Sequence, residues 1–249
     1  MLLVAGSALV GQIGACRPVA SEPRSLRNKR HAMVRDQLVA RGIKDKRVLR
    51  AMRAVHRHLF VPSSQRSRAY EDRPLPIGYR QTISQPYIVA YMTEALRVKP
   101  TDKVLEVGTG SGYQAAVLAR LASRVYSIEI VKALGVRSRK LLRRRGYKNV
   151  RVRVGDGYRG WPKAAPFDAI MVTAAPPRVP PALIKQLKVG GRLVMPVGTA
   201  RQTLIRVTRT KTSTRREDLL GVIFVPMTGE IQRRRVTRPR PRPRPRPRR

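Results

Sequence analysis

Acidic residues are scarce in this chain. Its 249 residues hold 14 Asp and Glu against 54 Lys and Arg, a formal net charge of +40 that attracts polyanions without specifying a fold. Cysteine is nearly absent: Cys16 stands alone, which excludes an intramolecular disulfide and any cysteine-built metal cage. Only three histidines occur, all in the first quarter, and His56 and His58 lack a Cys or Glu partner at ligand spacing. They read as surface or core histidines, and no metal is expected. Long apolar runs are missing too. The opening "MLLVAGSALVGQIGAC" is shorter than the roughly 20 residues a bilayer span needs, so no membrane span is expected.

What is present begins with two unusual ends. The first sixteen residues resemble the apolar core of a secretory or lipoprotein signal, with small residues before Cys16, but no Lys or Arg precedes them and Gln12 interrupts them. A signal, a misplaced start and a plain extension all stay open. At the other end, "RRRVTRPRPRPRPRPRR" carries ten arginines among alternating prolines. Proline removes amide donors and fixes φ, so this tail is expected to be extended and disordered, an arm for nonspecific polyanion binding at most. The expected division is an extension over 1–27, a globular domain over 28–232 and the tail over 233–249.

The domain changes period along its length. After a polar linker near Ser21–Ser25, Met33, Val34, Leu38 and Val39 recur at helical spacing, Gly42 stops that helix, and Val48, Leu49, Met52 and Val55 restart it. "LFVP" and "PLPIG" mark an irregular crossing. From residue 102 onward, "KVLEVG", "RVYSIEI", "VRVRVGDG", "FDAIMVTAA" and "GGRLVMPVG" are short β-rich runs separated by helix-length segments at 113–122 and 132–146. Alternating strands and helices argue an α/β fold, a mostly parallel sheet covered on both faces. "LLGVIFVPM" supplies another β-rich run for an edge.

Chemistry concentrates in "VLEVGTGSGY". An apolar strand ends at Glu106, and Gly108, Gly110 and Gly112 let the following backbone pass close to a ligand at a helix N-terminus. Tyr113 stands where a nicotinamide fingerprint wants its last glycine, and no phosphate-loop lysine follows. Glu129 closes the next strand about 20 residues on, where a carboxylate accepts from both ribose hydroxyls. Asp156 closes the third, placed to accept an adenine amino group, with Gly157 leaving that wall open. Three acids on successive strand ends beside a glycine turn indicate a nucleoside-bearing ligand, in the arrangement that binds S-adenosylmethionine. Ahead of this, in "QTISQPYIVAYMTEAL", Thr82, Ser84 and Gln85 stand before Pro86. They either cap a helix or face the ligand.

Together with "AYEDRPLPIG", "GDGYRGWP" and "FDAIMVTAAPPRVPPAL", these stretches resemble the bacterial protein-L-isoaspartate O-methyltransferase family over about residues 30–232. The resemblance implies a Rossmann-like methyltransferase fold, S-adenosylmethionine as donor and the α-carboxylate of L-isoaspartyl residues in damaged proteins as acceptor. It assigns Ser84 to the active site, with Gln81, Thr82, Ile83 and Gln85 beside cofactor and substrate. It also puts Thr173 and Ala174 at the methyl-transfer site and Thr228 at the cofactor pocket. The family usually has glycine where this chain has Arg80, which either clamps a carboxylate or points to solvent; a left-handed backbone there would reshape the loop. A cytoplasmic enzyme is implied, or one of the cell envelope if residues 1–16 act as a signal. Two other functions remain: a methyltransferase of another substrate class such as RNA, suited to the charge, and a non-catalytic binding protein on the same scaffold. Against the first, "TAAPP" follows the fourth strand where amino-methylating enzymes often carry "NPPY".

Overall fold

The computed structural model describes residues 22–231. The apolar run ahead of Cys16 and the Arg-Pro tail lie outside the described residues, and so do the expectations attached to them. The linker expected at 21–25 is shorter than its polarity implied, because helix α1 already spans Arg24–Ala32 and Leu26 packs on the core. A π-helical stretch, Met33–Val39, continues α1 and buries Met33, Val34 and Leu38. Gly42, at φ +89°, ends it as expected. Asp45 then caps α2 (Lys46–Ala54) by accepting from the Arg47 amide at 2.7 Å.

The segment read as an irregular crossing contains a hairpin, β1 (Leu75–Gly78) paired antiparallel with β2 (Gln81–Ile83). Its tip places both Tyr79 and Arg80 in the left-handed region, at φ 55° and 56°. Two-residue hairpins need that conformation because it matches the twist of the strands, although glycine or asparagine adopts it with less strain. The chain then enters α3 (Pro86–Leu96), with Pro86 in its first turn.

Seven strands form the central sheet: β3 (Lys103–Val107), β4 (Arg124–Glu129), β5 (Val150–Val154), β6 (Phe167–Val172), β7 (Leu187–Gly198), β8 (Gln202–Arg209) and β9 (Thr214–Val222). Their order is β5-β4-β3-β6-β7-β8-β9. The first five run parallel, while β8 and β9 are antiparallel additions at one edge. The crossovers use α4 (Tyr113–Ala119), α5 (Lys132–Arg144) and α6 (Pro181–Lys185). Alternation in the strands feeds two cores. Val104, Val125, Ala169 and Val194 join the cluster on one face, and Leu105, Tyr126, Ile170 and Leu193 the cluster on the other. The chain turns one way from β3 to β4 and the other way to reach β6, so a crevice opens at the carboxyl ends of these three strands.

Candidate active site

β3 delivers the glycine turn into that crevice. Gly108 has φ +100°, and a Cβ there would collide with Thr173 Oγ1, so only glycine fits. Thr173, just past β6, donates to the Gly108 carbonyl at 2.7 Å and stitches the two strand ends together. From the end of β4, Glu129 accepts from the Gly110 amide (2.7 Å, Oε2) and the Val131 amide (2.9 Å, Oε1). Each carboxylate oxygen has a second lone pair, so the group can still accept from a ligand. Gly157 forms another wall; a Cβ on it would strike Val107. The cavity is lined by Gly108, Gly110, Glu129, Gly157, Thr173 and Ala174, by Gln81 to Ser84 from the hairpin side, and by Val225 to Thr228 from the chain's last described segment. An isolated bridge between Ala175 and Pro226 holds that segment in place.

Four of the expected site residues do not line this cavity. Glu106 is fully buried in the sheet, where it accepts from Ser127 Oγ. Burial pushes its carboxyl up to about 8, which keeps it neutral at pH 7, and Ser127 in turn lies 2.5 Å from Thr109 Oγ1 in the turn above. Asp156 accepts from the backbone amides of Tyr158 (2.8 Å) and Glu230 (2.7 Å), as an Asp ahead of a tight 3-10 turn does, and stands outside the lining. Gln85 turns to Asp72 Oδ2 at 2.8 Å. Gly112 lies just behind the lining, as the left-handed residue (φ +88°) that starts α4.

Gln85 holds the N-cap position of α3 without a capping bond of its own, and Asp72 Oδ1 accepts from the Tyr87 amide at 3.3 Å instead, so the capping explanation of Thr82 and Ser84 fails. Both residues instead border two spaces. A second cleft, of ≈ 640 Å³, runs past Pro74, Ile88 and Gly221 to Val225, and Thr82, Ser84, Thr173 and Val225 line it as well as the first cavity. These four residues form the partition between the two. Sequence reasoning missed Thr109, Ser111 and Gln114 in the lining, and also Val225 to Met227. The signal for them was adjacency to Gly110, Tyr113 and Thr228.

The model of the protein-L-isoaspartate(D-aspartate) O-methyltransferase family matches residues 28–232. The chain belongs to that family. It is accordingly a methyltransferase with the Rossmann-like fold of S-adenosylmethionine-dependent enzymes. It is similar to the protein-L-isoaspartate O-methyltransferases of Opitutus terrae (56% identical, covering 85% of this chain and 91% of that protein) and of Synechococcus sp. (56%, 84% and 88%). Among solved structures, a protein-L-isoaspartate O-methyltransferase superposes with a TM-score of 0.76 at 28% identity, covering 84% of this chain and 71% of that one. A putative family member from Plasmodium falciparum, in complex with S-adenosyl-L-homocysteine, gives 0.71 at 26%, covering 80% and 98%.

Among the described residues no group of three or more His, Cys, Asp or Glu is placed to hold a metal. No helix among them is long and apolar enough to cross a membrane.

Proposed function

We propose that this methyltransferase uses S-adenosylmethionine to methylate the α-carboxylate of L-isoaspartyl residues in damaged proteins, the first step of their repair. When bound, S-adenosylmethionine supplies an electrophilic methyl group. The residues present fit it: Glu129 holds the ribose hydroxyls, the Gly108–Gly110 backbone leaves room for close approach, Gly157 keeps one wall flat, and Ala174 and Thr228 close the far side. The Glu106–Ser127–Thr109 chain supports the turn from below and Gly112 sets its exit, both without touching the ligand. Asp156 braces the Tyr158 turn against the last segment.

The acceptor needs orientation and little else. A free α-carboxylate has a pKa of about 3.5, so at neutral pH it is already a nucleophile and requires no general base. Ser84 and Thr82 hold it by hydroxyl donation, Gln81 and Ile83 shape the wall beside it, and the partition sheds water from the space between the oxygen and the methyl group. Gln85 lines the adjoining cleft beside Ser84 and also donates to Asp72. After methylation the following backbone nitrogen attacks the ester and methanol leaves. The resulting succinimide hydrolyses in part to a normal aspartyl linkage.

One observation carries this reading: Thr82, Ser84, Thr173 and Val225 line both the cavity and the adjoining cleft, so a donor in one and a peptide in the other would meet there. Labelled S-adenosylmethionine and paired peptides differing only in Asp versus isoAsp test it. Base-labile label on the isoAsp peptide alone is the expected result, and equal or absent labelling refutes the reading. The partners are isoaspartyl proteins and, through the arginines of residues 233–249, polyanions held nonspecifically. The reading puts the enzyme in the cytoplasm, or in the cell envelope if residues 1–16 serve as an export signal.

A further inference from the structure

Residues 130–155, which run from the end of β4 through α5 and β5, contain seven Arg and three Lys but no Asp or Glu. Intramolecular neutralisation is the first explanation to try, and the carboxylates do not provide it. Nine of the chain's fourteen are engaged in ion pairs with cations of other segments. Asp45, Glu94, Glu129 and Asp156 accept from backbone amides, and Glu106 is buried against Ser127. Within the segment, Arg137 donates to the Ile77 carbonyl, and Arg151 and Arg153 lie over the rings of Tyr126 and Trp161. Arg143 and Arg144 suit the negative end of the α5 dipole. Those local roles leave the charge of the surface unbalanced.

The surface is also shaped. One hollow of ≈ 540 Å³ lies between α5 and the 59–66 segment, with Arg66, Arg137, Arg144 and Arg145 around it and Phe60 in its wall. A second, of ≈ 290 Å³, lies at the start of β4 and β5 and is bordered by Arg124, Lys148 and Arg151. Arg144, Arg145 and Lys148 are all exposed. The last turn of α5 and the loop after it thus carry cations that face both hollows. Guanidinium forks match phosphate oxygens bidentately, and a series of hollows with separate arginines suits an anion that repeats along a chain.

We propose that the α5–β5 edge of the folded domain is a docking surface for the phosphodiester backbone of nucleic acid, distinct from the Arg-Pro tail and meeting the site cavity only at Ser111, which borders both. The surface is dominated by cations, which contact the backbone whatever the base sequence. The enzyme is thereby held near nucleic acid while its cleft stays free for peptide.

The test uses the full chain with Arg144→Gln, Arg145→Gln and Lys148→Gln combined, and fluorescence anisotropy with a 20-nucleotide RNA and DNA of the same sequence across a salt series. The parent should bind both. The variant should lose about tenfold in affinity, and its log Kd against log salt slope should fall by about 2, the loss expected for three single-strand phosphate contacts. Unchanged affinity and slope in this variant, with both falling when Arg240, Arg242 and Arg244 are changed to Gln, would assign all binding to the tail and overturn the proposal. A poly-glutamate peptide that binds as tightly as RNA through the same three residues would overturn it too, since the surface would then serve acidic proteins. Thermal unfolding checks that the variant is folded. Should it melt early, Arg124→Gln with Arg139→Gln, at the start of β4 and in the middle of α5, replaces it with the same expected direction.

Discussion

The Gly110 amide donates to Glu129 Oε2 at 2.7 Å, so the glycine turn and the end of the neighbouring strand are held by the same carboxylate that faces the cavity. Under the proposed function, Glu129→Ala removes a ribose contact and loosens the turn together. Affinity for S-adenosylmethionine should fall by about 1–3 kcal/mol, read by calorimetry. A variant that binds as tightly as the parent would remove Glu129 from the ribose site.

Ser84 stands on the partition, apart from the glycine turn, and its effect should follow that position. Ser84→Ala is expected to lower kcat/KM on an isoAsp peptide by about tenfold to a hundredfold while S-adenosylmethionine affinity stays within twofold. Steady-state kinetics beside calorimetry separates the two. Equal loss in both would mean the hydroxyl supports the cavity itself.

Glu106 gives a pH signature. Burial lifts its folded pKa to about 8 from an unfolded value of 4.5, so between those limits the folded state binds more protons than the unfolded one. The sign then follows: this group's contribution to stability falls as pH rises from about 4.5 and is fully lost above about 8. Glu106→Gln keeps the shape without the charge. Its melting temperature should gain on the parent by several degrees between pH 5 and pH 8.5 in differential scanning calorimetry, and a gap that stays constant with pH would contradict the assignment.

Arg80 tests the hairpin. Its φ of 56° costs an L-residue roughly 1–2 kcal/mol, part of which glycine returns through its freer unfolded state. Arg80→Gly should therefore stabilise the protein by about 0.5–1 kcal/mol in urea unfolding. Net destabilisation would mean that the guanidinium makes a contact worth more than the strain.

Local patterns made much of this readable in advance. The strand-to-glycine junction at Val107–Gly112 and the buried Met33, Val34, Leu38, Val48, Leu49 and Met52 follow from period and turn chemistry alone, while Val39, at the same spacing, is exposed. What failed did so through tertiary context. β9 carries Arg215, Arg216, Glu217 and Asp218, a composition that advertises a loop, yet as an edge strand it solvates those charges and pairs Glu217 with Arg206 of β8. The apolar "LLGVIFVPM" drew the expected strand too far: pairing stops at Val222, and Val225 to Thr228 leave the sheet to line the cavity. β8 was missed for the same reason as β9, its apolar positions being diluted by Gln202, Arg206 and Arg209. Strand-end position says where Asp156 stands but not which nearby amides its side chain accepts from, those of Tyr158 and Glu230.

The bridge between Ala175 and Pro226 sets a schedule for synthesis. A ribosome releases β3, β4 and β6 well before residue 226 emerges, so a nascent chain can assemble the parallel half of the sheet while one wall of its cavity is still unmade. Stalled or prematurely ended chains that stop in β9 would carry Gly108, Glu129 and Thr173 in place and still lack Val225 to Thr228. The cavity is thus closed only by the last few residues of the domain.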